Sequence, residues 1–178
     1  MKTLLLTLFL LAAAGARSEA LGVRVVEVED GDTLLVMLEG KPARIQLAGI
    51  DAPEDRPNPK FNLDLKRTGL PAETLLALGR HATAHLRGLA PPGTTVVLEG
   101  DLAARDKYGR IALEVKLTDG RSLNEAMVAD GYARALHAPA YTPLQEEAMK
   151  SAKGIWGEAP ETARKWAEAG TAPRGRLL

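Results

Sequence analysis

Three short apolar-rich segments near the start of the chain, separated by turn signals, constrain the fold more than any other feature. Residues 23–29, Val-Arg-Val-Val-Glu-Val-Glu, and residues 33–38 both read as strands, joined by the hairpin dipeptide Asp30-Gly31. Glu39-Gly40-Lys41-Pro42 turns the chain again, and residues 43–48 form a third strand. Its period of two puts Ile45 and Leu47 on one face and Arg44, Gln46 and Ala48 on the other. After Pro91-Pro92-Gly93 come two further strands, at 95–98 and 110–117, with Asp119-Gly120 turning the chain after them. Five short strands with helices inserted late predict a mainly β, α+β domain: a closed five-stranded barrel of the OB type with about three α-helices.

The helices carry their own signals. One is expected from Ala72 to near Gly88, interrupted at Gly79, with Leu75, Ala82, Leu86 and Leu89 as its buried stripe. Ser122-Leu123-Asn124-Glu125 is a capping box that opens a second, closed by Gly131. Thr142-Pro143-Leu144-Gln145 is another box, with proline at the first helical position, and its helix ends at Gly154. Ile155-Trp156 is then expected to pack back onto the barrel. Residues 55–71, punctuated by Pro57, Pro59, Gly69 and Pro71, read as a long exposed loop, and its Arg56, Lys60, Lys66 and Arg67 suit either a grip on a polyanion or a plain solvated insertion. Residues 158–178 read as a peripheral extension, with a short helix near 161–169 and a loose basic tail.

The N-terminus reads as an export signal. Lys2 precedes an apolar run from Leu4 to Ala14, followed by small residues at Ala14-Gly15-Ala16 and Ser18-Glu19-Ala20. The run is short for a membrane span of ~20 residues. The expected organisation is therefore a signal peptide over 1–20 and one domain over 21–157. The mature protein is expected to be extracellular or periplasmic, monomeric and without stable membrane association. The chain contains no cysteine, which excludes disulfides, thiolate metal sites and a cysteine-borne lipid. Formal net charge over all 178 residues is zero. Any polyanion site must therefore be a local patch, because tight nucleic-acid binding rests on phosphate contacts.

Chemistry-bearing residues gather at three places. Asp30-Gly31-Asp32-Thr33 is a hairpin turn carrying two carboxylates. It is no EF-hand, since Leu34 takes the fifth position and no glutamate closes the loop. Gly49-Ile50-Asp51-Ala52-Pro53-Glu54 is a proline-stiffened corner with an acid on each side. Asp106-Lys107-Tyr108-Gly109-Arg110 presents a guanidinium at the start of the fifth strand. Taken singly, each has an ordinary structural reading. Together, carboxylates for a hard cation, a spare glutamate and an arginine suit attack on a phosphodiester.

These segments, with the later Leu123-Asn124-Glu125-Ala126-Met127-Val128, resemble the thermonuclease, or staphylococcal-nuclease-like, family in the same order over about Val23 to Trp156. The resemblance implies an OB-fold barrel and Ca²⁺-dependent hydrolysis of DNA, and of RNA; another divalent ion is compatible. It implies that Asp32, Asp51 and the backbone carbonyl of Ala52 hold the ion. Glu54 is then the general base, Arg110 the phosphate-binding arginine, and Lys107 and Tyr108 the lining of the nucleotide pocket. His137 falls where the family often has a pocket aromatic.

One position departs from that pattern. Where the family carries a second catalytic arginine, five residues before the ligand aspartate, this chain has Gln46. Loss of one transition-state donor costs ~10²–10³ in rate. Arg44, about 6.6 Å away along the same face, or Arg56 in the following segment, is the expected partial substitute. The alternative is an OB-type binding module with weak or no catalysis. His81 and His85 have a helical i, i+4 spacing that suits zinc, but Ala82 stands where a zinc protease has glutamate.

Overall fold

The computed structural model describes residues 21–171, so the expected signal peptide and the tail beyond 171 lie outside the described residues. Seven strands run in chain order: β1 (Leu21–Val28), β2 (Thr33–Leu38), β3 (Lys41–Leu47), β4 (Ile50–Asp51), β5 (Thr95–Glu99), β6 (Ile111–Leu117) and β7 (Arg134–Ala135). Five of them close a barrel in the order β1-β2-β3-β6-β5, with β5 pairing back onto β1. Every barrel pair is antiparallel except β3 and β6, which run parallel with Gln46 opposite Ala112. This is the expected OB-type barrel. The alternation in β3 also holds: Ile45 and Leu47 are fully buried, while Arg44 is exposed and Gln46 half-buried.

Six helices complete the described chain: α1 (Pro59–Thr68), α2 (Ala72–Leu89), α3 (Leu123–Ala129), α4 (Thr142–Lys150), α5 (Ile155–Glu158) and α6 (Pro160–Thr171). None is long and apolar enough to cross a membrane. The Ser122 cap forms as expected, its hydroxyl accepting from the Glu125 N–H at 3.0 Å. The Thr142 box does not form. Gln145, its fourth residue, instead accepts from the Ala135 N–H at 2.8 Å.

Three expectations are corrected. The segment 55–71 is not simply an exposed loop, because α1 occupies most of it. Asn58 caps that helix, accepting from the Phe61 N–H at 2.8 Å, Pro59 opens it, and Gly69 ends it in the left-handed conformation. α2 is not interrupted at Gly79. Glycine is needed there because the helix rides on the backbone of Glu54, where a Cβ would overlap the Glu54 carbonyl. Finally, the helix over 160–171 is not peripheral, and Ile155 and Trp156 pack with it rather than onto the barrel. Phe61, Leu75, Leu78, Ala148, Ile155, Trp156, Ala163 and Trp166 form a second core beside the barrel, and Trp166 is only 1% exposed. Among the described residues there are thus two apolar clusters, one in and around the barrel and one among α1, α2, α4, α5 and α6.

Candidate active site

The β1–β2 turn and the β4 corner are tied by a buried hydrogen bond. Asp32 Oδ2 accepts from the Ala52 N–H at 3.0 Å, while its Oδ1 accepts from the Thr33 hydroxyl at 3.0 Å. Asp30 stiffens the turn by accepting from the Asp32 N–H at 3.0 Å. Burial pushes the Asp32 carboxyl well above the usual carboxylate range, Asp30 reinforces that shift, and Lys60 counters it in part.

Asp51 has different neighbours. The β4–β7 pairing puts Arg134 directly across from it, and Arg134 Nε donates to Asp51 Oδ2 at 2.9 Å. Arg134 is itself held by the Ala167 carbonyl and by the Trp166 ring, 4.9 Å from its guanidinium carbon. Lys60, in the first turn of α1, reaches the other oxygen, Asp51 Oδ1, at 3.1 Å. Burial alone would raise the Asp51 carboxyl, but Lys60 and Arg134 outweigh it and hold the group below its ordinary value.

The Lys60 ammonium makes two further contacts of the same kind. It donates to the Ala52 carbonyl at 3.0 Å and pairs with Glu54 Oε1 at 2.8 Å. Asp64, one turn along α1, lies at 3.7 Å. Glu54 Oε2 accepts from Asn58 Nδ2, so both glutamate oxygens are engaged. Lys60 therefore points inward at the acidic corner, and Arg56 is spent on Asp55 and the Glu29 carbonyl. Neither belongs to a free basic loop.

The donor chemistry around Lys60 bears on the expected cation. Among the described residues no group of three or more Asp, Glu or His side chains is placed to hold a metal ion. Yet two carboxylate oxygens and one backbone carbonyl oxygen converge on a single positive centre. All are hard oxygen donors of the type Ca²⁺ or Mg²⁺ takes. The residues fit such an ion in kind, with Asp51 and the Ala52 carbonyl at the converging point and Asp32 joined to it through the Ala52 amide.

Gln46 lies between Thr33 and Ala112 in the sheet, one residue from Asp32 in register. Arg44, expected as its substitute, donates through Nε to Glu29 Oε1 at 2.8 Å. Arg44 and Arg56 thus meet at Glu29, next to Asp30. Arg110 is held within its own loop: its Nε donates to Asp106 Oδ2 at 2.9 Å, and its guanidinium carbon lies 5.4 Å from the Tyr108 ring. Tyr108 is 60% exposed, with the Lys107 ammonium 4.8 Å from its ring. His137 is exposed, at a positive φ of 54°. His81 and His85 do not share a partner: His81 meets Glu158, while His85 meets Asp130 and stacks on Tyr132.

Two residues central to this site, Lys60 and Arg134, have no sequence signal that singles them out. Lys60 looks like one basic residue among four in a polar stretch, and Arg134 carries no motif. Only their partners identify them.

Known proteins match this chain in sequence. The family model described as staphylococcal nuclease homologue matches residues 44–158. An uncharacterised endonuclease of Escherichia coli is 34% identical over 140 residues, covering 76% of this chain and 77% of that protein. The thermonuclease of Staphylococcus hyicus is 32% identical over 141 residues, covering 75% and 74%. Endonuclease YhcR of Bacillus subtilis is 30% identical over 162 residues, which is 83% of this chain but 12% of that larger protein. Helix α6 lies beyond the matched family segment.

Proposed function

The chain belongs to the staphylococcal nuclease family, and from that premise we propose that it is an exported, divalent-ion-dependent nuclease that hydrolyses phosphodiester bonds of DNA, and of RNA. That it is a nuclease, a hydrolase acting on nucleic acid, follows from the family and from relatives named endonuclease and thermonuclease. The carrying observation is the convergence of Asp51, the Ala52 carbonyl and Glu54 on one cationic centre. The all-oxygen donor set suits a hard divalent ion, and the family resemblance points to Ca²⁺. Export rests on the Lys2-to-Ala20 pattern alone.

Asp51 and the Ala52 carbonyl would hold the ion, with Asp32 beside them. When bound, the ion neutralises phosphate charge. Glu54 is the base that takes a proton from the attacking water once one of its oxygens is free. Its backbone is fixed by Pro53 and by α2 pressing at Gly79. Arg110 gives a planar fork to phosphate oxygens after leaving Asp106. Tyr108 offers an exposed ring for a base, and Lys107 a charge for the backbone. Gln46 contributes a neutral donor where the family has a cation.

The test is plasmid cleavage by the purified protein in Ca²⁺ and in chelator. Glu54→Gln should lower the rate by ~10²–10⁴-fold. Gln46→Arg should raise it by at least about tenfold, because a charged donor returns to the phosphate site. Arg44→Ala should lower it if Arg44 replaces the missing arginine. No cleavage under any divalent ion would leave the binding-module reading in place.

A further inference from the structure

We propose that Lys60 is a tethered competitor for the divalent ion, and that a docked Lys60 and a bound ion exclude each other. The inference rests on the reading of an ion at this corner but adds a regulatory residue to it. Its ground is coincidence of donors. Lys60 Nζ lies 3.1 Å from Asp51 Oδ1, 3.0 Å from the Ala52 carbonyl and 2.8 Å from Glu54 Oε1. The ammonium thus donates a hydrogen bond to the Ala52 carbonyl and pairs with both carboxylates at once. An ion held by Asp51 and Ala52 must take two of the same oxygens, and two cations cannot share that spot.

The docking is built in. Asn58 and Pro59 start α1 only a few residues after Glu54, and Phe61, 3% exposed, anchors the helix in the second core. This fixes the Lys60 backbone over the corner. The side chain is still about one-third exposed, at 36%, so its flexible stem lets the head leave while α1 stays in place. Asp64, already 3.7 Å away on the same helix, is a partner to which the displaced ammonium can move. Docked Lys60 also occupies one oxygen of Glu54, the candidate base. Its departure would therefore open the ion site and free the base together. One positive charge faces Asp51 and Glu54 when Lys60 is docked, whereas a divalent ion matches both, which gives the ion the electrostatic advantage at sufficient concentration.

The experiment titrates the purified chain with Ca²⁺ alone by calorimetry, beside Lys60→Met and the double variant Lys60→Met/Asp51→Asn. Lys60→Met should bind Ca²⁺ at least about tenfold more tightly, the least expected when one charge-assisted hydrogen bond no longer competes. The double variant should lose that gain, which locates the ion. Without Ca²⁺, Lys60→Met should unfold at a lower temperature than the unsubstituted chain, and Ca²⁺ should restore it by binding the native state. If Lys60→Met does not fold, acetic anhydride labelling of the unsubstituted chain gives the answer. Saturating Ca²⁺ should raise labelling at Lys60 several-fold and leave Lys41 unchanged. Equal Ca²⁺ affinity with and without Lys60, a gain that survives Asp51→Asn, no Ca²⁺ binding in Lys60→Met, or Lys60 labelling indifferent to Ca²⁺ would each overturn the proposal. Tighter binding in Lys60→Met without cleavage by any form would leave the competitor standing and remove the nuclease reading. Cleavage with equal affinity in both chains would do the reverse.

Discussion

The β1–β2 turn and the β4 corner each bring one aspartate to the same rim, yet the two carboxylates are stabilised in opposite ways. Asp32 is buried with neutral partners, the Thr33 hydroxyl and the Ala52 amide, and has Asp30 as a like-charged neighbour. Asp51 is buried between two cations, Lys60 and Arg134. The resemblance implied that both hold the ion; the structure gives Asp51 two cationic contacts and Asp32 only neutral hydrogen-bond donors. Two like acids at one rim thus have different support: Lys60 and Arg134 both contact Asp51, whereas Lys60 only partly offsets the burial of Asp32.

Removing Arg134 is the strongest way to break this contrast. Arg134→Met leaves a buried charge short of a partner, a loss that costs ~3–5 kcal/mol. Urea unfolding in chelator should show that drop; a cost under about 1 kcal/mol would mean that Asp51 does not depend on the helical side. Gly170→Ala probes the same support from α6. A methyl there would overlap the Arg134 guanidinium, and displacing it should cost ~1–3 kcal/mol. The same substitution at Gly88, around which a Cβ meets nothing within 4 Å, is the control.

Acid titration separates the two aspartates more finely. The Asp51 pKa is lowered in the folded state, so its stabilisation is complete above its unfolded value of about 3.9 and disappears as pH falls through the lower folded value. The Asp32 pKa is raised, so stability is gained as pH falls through the raised folded value towards the unfolded one. Asp30 shifts the same way, through burial and Glu54. Stability measured against pH in chelator should show Asp32→Asn removing part of the gain on acidification towards the unfolded value, and Asp51→Asn removing part of the loss below about pH 4. Parallel profiles for the two variants would erase the distinction.

The barrel was legible in the chain because period-two alternation and turn dipeptides are local signals. Ile45 and Leu47 share one face wherever β3 sits, since the pleat alternates side chains, and that apolar face is the buried one. Asp51, Ala52 and Glu54 were legible for the same reason: they share one short rigid corner. The 55–71 stretch was not. Its prolines and charges read as loop, yet Asn58 and Pro59 are a helix start, and Phe61 is its one strongly buried apolar anchor. Its burial depends on Trp156 and Trp166, about a hundred residues away in sequence. Gly79 was misread on its own terms, because a glycine that breaks a helix and one that admits another backbone look alike in a string.

By itself, then, the sequence determined the strand pattern and the acidic corner, both of them properties of neighbouring residues. Only the tertiary structure decided which charges meet. Lys60 reaches Asp51 because α1 docks on the second core, and Arg134 reaches it because β7 pairs with β4 while α6 closes behind. The physical reason is range. Backbone preference acts over a few residues, whereas a buried carboxylate takes its character from whatever cation the whole fold brings within about 3 Å.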